Sequence, residues 1–221
     1  DPDGDFPTVE FPNPEEKGAL DEAFALAAET RPDLILANDP DVDRLAVALP
    51  SGSGWRPLTG NQIGVLLAEY VLSHWSHDAQ PLVANSIVSS PMLFAVAEAH
   101  GARCEQTLTG FKWICNAAMD LEESDGIRFA MGFEEAIGYS IGPVVRDKDG
   151  IGAALVFADM VSAAKASGRT VWDLLGDLAR EVLRLADRKP RVERVDLDRR
   201  DVHLDRRIDA PRRQGHGRNK R

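Results

Sequence analysis

Asn38-Asp39-Pro40-Asp41-Val42-Asp43-Arg44 decides how this chain is read. Three carboxylates, Asp39, Asp41 and Asp43, stand at alternate positions. The apolar run Leu34-Ile35-Leu36-Ala37 leads in, and Leu45-Ala46-Val47-Ala48-Leu49 leads out. Both runs have strand length and strand composition, so the acids are expected on a loop between two buried strands. Acids converging to about 4 Å at an effective dielectric near 20 repel by roughly 4 kcal/mol per pair, against about 1 kcal/mol in water. A converged trio therefore calls for a cation. Oxygen ligands with no neighbouring Cys or His suit a hard ion, Mg²⁺ or Ca²⁺, rather than Zn²⁺. Pro40 stiffens the first half of the loop.

Other sites use a similar spacing. An EF-hand needs Gly at loop position 6 and Glu at position 12; counted from Asp39 these are Arg44 and Pro50, so that assignment fails. A haloacid-dehalogenase-type phosphatase, with Asp39 as nucleophile, fits only in part, because Thr or Val usually stands where Asp43 does. An acidic surface loop without an ion is the bland alternative.

Working outward, Pro14 opens an expected helix through about Glu29, with Asn13 as N-cap and Leu20, Phe24 and Ala27 or Ala28 on its apolar face. Ser51-Gly52-Ser53-Gly54 is a turn, and Trp55-Arg56-Pro57 closes a hairpin. Asn61 is the expected cap of a helix to His74. Strands are expected at 82–84, 103–107 and 128–133, and helices after Ser90-Pro91, from 111 to 121, and over 151–166 and 171–185. This alternation argues for α/β layering.

The 221 residues have an ordinary globular composition, with 43% hydrophobic and 28% charged residues. No apolar run is long enough for a transmembrane helix, and no signal-peptide pattern opens the chain. Cys104 and Cys115 fit two reduced thiols, which with the missing signal points to a cytoplasmic protein. The net charge of −10 is uneven: residues 1–186 carry −16 and residues 187–221 carry +6. The acidic body argues against nucleic-acid binding. From about Asp187 the sequence loses periodicity and aromatic residues, so 187–221 is expected to be a basic, disordered tail.

Three further loops gather chemistry: Thr109-Gly110-Phe111-Lys112, Gly132-Phe133-Glu134-Glu135-Ala136-Ile137-Gly138-Tyr139, and Arg146-Asp147-Lys148-Asp149-Gly150. Lys112, Arg146 and Lys148 are candidate phosphate cations, and Glu134 is a candidate acceptor for sugar hydroxyls. With a metal loop they point to a sugar phosphate or a nucleotide.

Taken together and in this order, the four motifs resemble those of the α-D-phosphohexomutases (phosphoglucomutase/phosphomannomutase), over about residues 1–186. Asn38–Arg44 looks like that family's metal loop and Gly132–Tyr139 like its sugar-specificity loop. The resemblance implies layered α/β/α domains: a truncated second domain over 1–57 and a complete third domain over 58–186. It implies a Mg²⁺-dependent isomerase that moves a phosphoryl group within a hexose or pentose phosphate through a sugar bisphosphate. Asp39, Asp41 and Asp43 would hold the metal. Arg44 and Lys112 would serve catalysis, and Glu134, Ala136, Arg146 and Lys148 would contact substrate. Ala136 departs from the Ser often found there. No Thr-Ala-Ser-His-Asn-Pro-like phosphoserine loop occurs in these 221 residues, nor does the family's phosphate-gripping fourth-domain loop. The purified chain is therefore expected to show no mutase turnover alone. Bisphosphate-dependent turnover in a coupled assay would contradict this.

Overall fold

The second apolar run forms the middle of a small antiparallel sheet. The computed structural model describes residues 3–188. Leu45–Ser51 (β2) pairs antiparallel with Ile35–Asn38 (β1) on one side and Gly54–Pro57 (β3) on the other. Leu45 to Leu49 are all buried. Only β2 meets the expectation of a buried strand. β1 is an edge, covered on one face, and its Leu36 is 37% exposed. Gly52, at φ +60°, makes the hairpin turn between β2 and β3.

The helix that precedes β1 starts later than expected. Asn13 Oδ1 does accept the Glu15 N–H at 3.0 Å, as a cap would. Gly18 then adopts φ +87° and the turn does not propagate. The helix (α1) runs Asp21–Thr30, and Leu20 at its N-cap makes no side-chain cap bond. Ala27 packs with Ile35 and Ala48, so α1 covers the outer face of this sheet.

The second sheet has the order β5-β4-β6-β7. Pro81–Ser86 (β4), Arg103–Thr107 (β5) and Arg128–Glu134 (β6) run parallel, and Gly138–Ile141 (β7) returns antiparallel along β6. β7 was not expected: its four residues are too few to show a period, and the first two belong to what reads as one loop motif. Both faces of this sheet are covered; successive residues of β4 serve opposite faces, and a register shift between Phe129 and Met131 swaps the faces of β6. Leu82, Ala84 and Phe129 meet Ile114, Cys115 and Ala118 of the helix Phe111–Asp125, here α4. Val83, Met131 and Phe133 face a larger core shared by Gly60–Ser73 (α2), Met92–Ala99 (α3), Gly150–Ala166 (α5) and Val171–Arg188 (α6). The result is the expected α/β/α layering. Leu45, Val47 and Leu49 of β2 enter the same core beside Phe157 and Met160 of α5. The two sheets are thereby packed into one body.

Helix ends follow local chemistry that spacing alone did not reveal. Thr59, not Asn61, caps α2: its side chain accepts the Gln62 N–H at 3.2 Å, and Gln62 Oε1 accepts the Thr59 N–H at 3.0 Å. Asn61 instead accepts the Ser90 N–H at 2.7 Å. α4 continues past Leu121 to Asp125, where Gly126 turns left-handed. α6 reaches Arg188, so the first two residues of the expected tail are helical. The rest of that expectation, 189–221, lies outside the described residues. Among the described residues no single helix is long and apolar enough to cross a membrane.

Gly60 opens α2 directly under the loop after β6. A Cβ there would stand 1.9 Å from the Glu135 carbonyl oxygen. Gly60→Ala should therefore destabilise the fold by about 2–3 kcal/mol, through displacement of backbone rather than a flexible side chain. A urea-unfolding midpoint close to that of the unmodified chain would contradict this.

Candidate active site

The acid loop is built by bonds across its own base. Asn38 Nδ2 donates to the Arg44 carbonyl at 2.6 Å, and Asp39 Oδ1 accepts the Arg44 N–H at 3.0 Å. Within the loop the Val42 N–H reaches the Asp39 carbonyl at 3.0 Å, and Val42 takes φ +61°. A β-branched residue rarely adopts that conformation, which costs on the order of 1–3 kcal/mol. One carboxylate oxygen from each of Asp39, Asp41 and Asp43 lies within 4.8 Å of the others. Gly150, first residue of α5, presses on the loop from below. A Cβ there would meet the Arg44 carbonyl at 2.5 Å and the Val42 carbonyl at 2.6 Å. The positive end of a 17-residue helix thus abuts the backbone of the acid loop.

Arg44 ties this loop to the one between β6 and β7. Its Nη1 donates to the Ala136 carbonyl at 2.7 Å, while its Nε lies 3.7 Å from Asp39 and 3.9 Å from Asp43. The Leu45 N–H donates to the Ile137 carbonyl at 3.0 Å, and Arg44 forms a β-bridge with Gly138. Glu134 caps a third loop: its Oε1 accepts the Gly110 N–H at 2.6 Å, at the start of α4. Lys148 closes the set, 2.7 Å from Asp43 Oδ2 and 3.1 Å from Asp147 Oδ1.

Charge shapes the titration of these groups. Burial pushes the Asp39 carboxyl above its ordinary value; the Arg44 N–H opposes this, and Asp41 and Asp43 add to it. For Lys148, burial works against the charge but is outweighed by bonds to Asp43 and Asp147, which raise its value. Asp147 is lowered, because the Lys148 N–H and ammonium overcome its partial burial. The residues present fit a hard divalent cation. The donor set is all oxygen, and Asp43 Oδ1 is buried with no hydrogen-bond partner, since Arg44 Nε at 3.9 Å is out of reach. Asp39, Asp43 and Asp147 lie beside Arg44 or Lys148, and Asp41 adds a further negative charge to the converging trio.

Not every expected residue joins this cluster. Ala136 takes part through its carbonyl oxygen. Arg146 turns to Glu122 of α4 at 3.0 Å, and Glu122 also accepts the Phe129 N–H at 2.9 Å. Lys112 is exposed on the first turn of α4, and its Nζ lies 5.3 Å from the Trp113 ring centroid. Conversely, a buried lock escaped the sequence. Glu135 Oε2 accepts from Ser86 at 3.1 Å and Ser89 at 2.8 Å, and Ser89 Oγ accepts the Glu135 N–H at 3.1 Å. Serines some 46 residues upstream carry no local signal of that partnership.

The fold has counterparts among known proteins. The family model for the phosphoglucomutase/phosphomannomutase α/β/α domain III matches residues 59–182, and that for domain II matches residues 1–52. The chain is 48% identical over 182 residues to a protein named probable phosphomannomutase from Haemophilus influenzae, covering 81% of this chain and 36% of that one. It is 48% identical over 172 residues to human phosphopentomutase, covering 73% of this chain and 28% of the relative. It is 51% identical over 166 residues to Saccharomyces cerevisiae phosphoribomutase, covering 71% and 26%. The chain thus spans about a third of the length of these relatives. Among solved structures, a phosphoglucomutase/phosphomannomutase family protein from Burkholderia thailandensis superposes with a TM-score of 0.60. That match is 22% identical, covers 80% of this chain and 35% of the other, and shows the shared fold.

Arg44 is the joint on which both loops close. Arg44→Ala should lower stability by about 1–2 kcal/mol, because it removes the charged hydrogen bond to the Ala136 carbonyl and the guanidinium beside Asp39 and Asp43. A denaturation midpoint indistinguishable from that of the unmodified chain would show that the joint contributes nothing.

Proposed function

The chain belongs to the phosphoglucomutase/phosphomannomutase family, and from that membership we propose that it supplies the metal and sugar-binding parts of a phosphosugar mutase. The reaction is intramolecular phosphoryl transfer on a hexose or pentose phosphate, by way of a sugar bisphosphate. One observation carries the reading: Arg44 joins the three-acid loop to the 134–138 loop, so metal ligands and sugar-binding groups share one face.

Asp39, Asp41 and Asp43 hold a Mg²⁺ ion through their converging oxygens. When bound, that ion neutralises charge on the phosphoryl group in flight, the main demand of this chemistry. Arg44 keeps Asp39 and Asp43 turned toward each other. Glu134 lies beside the Gly110 N–H with its second oxygen available to a sugar hydroxyl. Lys148 stands at the same face as a phosphate cation. Arg146 and Lys112 reach substrate only by leaving Glu122 and the Trp113 ring. The relatives are named for different sugars, mannose in one case and pentoses in two, and Ala136 offers no hydroxyl of its own to discriminate among them. No observation favours the phosphatase alternative: Asp39 spends one oxygen on the Arg44 N–H, which suits a ligand held in place better than a nucleophile.

Calorimetric titration of the full chain with Mg²⁺ tests the metal assignment. One ion should bind, and Asp41→Asn should weaken binding at least about tenfold with little change in stability, because Asp41 is exposed. Absence of binding, or equal affinity in the variant, would contradict the assignment. With Mg²⁺ present, ribose 5-phosphate or glucose 6-phosphate should bind measurably by ligand-observed NMR, and Glu134→Gln should reduce the signal. An unchanged signal in the variant would remove Glu134 from the site.

A further inference from the structure

Lys148 reaches the acid cluster along a built path. Its stem crosses Gly138, where a Cβ would stand 2.8 Å from Lys148 Cδ and 3.2 Å from Phe111 Cε2. Its ammonium lies 5.9 Å from the Phe111 ring centroid, and its side chain is only 18% exposed. The path ends on Asp43, whose two oxygens are unlike. Oδ2 is ion-paired to Lys148 at 2.7 Å, and Oδ1 is buried without a hydrogen-bond partner. Asp147, at 3.1 Å, is the second acid on Lys148.

A dication on Asp39, Asp41 and Asp43 would have to share Asp43 with this ammonium. Two cations on one carboxylate repel, most strongly where solvent is partly excluded. Arg44 is tied to the Ala136 carbonyl, whereas Lys148 is a flexible stem with a point charge at its end and can shift. We propose that Lys148 is the internal counter-ion of the Asp39–Asp41–Asp43 cluster and competes with a divalent cation for Asp43, so that cation binding turns the ammonium toward a phosphate anion at the same face. The inference rests on the metal assignment above. Once Asp43 serves the dication, Lys148 keeps Asp147 alone, and an incoming phosphate replaces the lost counter-charge. Cation and phosphate then favour each other's binding reciprocally.

The test is Mn²⁺ titration of the full 221-residue chain, with free ion followed by electron paramagnetic resonance and no phosphate present. Lys148→Met should bind Mn²⁺ about tenfold more tightly than the unmodified chain, because a competing charge has gone. Unchanged affinity overturns the proposal. Weaker binding overturns it as well, and would make Lys148 a residue that orients Asp43. A second measurement needs no variant: acylation of Lys148 by an amine reagent, read by mass spectrometry, should speed up severalfold at saturating Mg²⁺. Lys165, which is exposed and paired with Asp33, serves as the internal control. A constant Lys148 rate contradicts release. If the unmodified chain binds no Mn²⁺, the metal assignment falls and this inference with it. If it binds Mn²⁺ and neither readout moves, only this inference falls.

Discussion

The guanidinium of Arg44 is the contact on which the site depends. Asp39 and Asp43 lie near one side of it, and the Ala136 carbonyl accepts from the other at 2.7 Å. Three carboxylates within 4.8 Å would spread apart on an unsupported loop. Here the loop is strapped at its base by Asn38, pressed by the N-terminus of α5 at Gly150, and partly neutralised by Arg44 and Lys148. The same contacts carry the first sheet to the second. β2 enters the shared core beside α5, and the Leu45 N–H bonds to the Ile137 carbonyl, so backbone as well as side chain joins the acid loop to the 134–138 loop.

Much of this was legible in the sequence because the strongest signals are short and local. The apolar runs flanking the acids and the strand that leads to Glu134 each report their structure within a few residues. What escaped was set by partners far along the chain. Asn61 looks like a cap, but Thr59 and Gln62 satisfy α2 reciprocally and free Asn61 for Ser90. Asn13-Pro14 looks like a helix start, and one left-handed glycine, Gly18, delays the helix to Asp21. β7 is defined by its pairing with β6, not by any period in its four residues.

The site residues divide along the same line. The acids, Arg44, Glu134 and Lys148 gather because consecutive loops of one sheet edge and one hairpin meet there. Arg146 sits in the right motif, yet Glu122 of α4 holds it elsewhere, and spacing says nothing of a competitor 24 residues upstream. The Ser86–Ser89–Glu135 lock is invisible for the converse reason: three ordinary polar residues become a buried unit only when β4 and β6 lie side by side.

A crystal of the full chain grown with Mn²⁺ tests the central claim most directly. The account predicts an anomalous peak between the carboxylates of Asp39, Asp41 and Asp43, with oxygen ligands and Arg44 still on the Ala136 carbonyl. A peak at another position, or none at a saturating ion concentration, would contradict it.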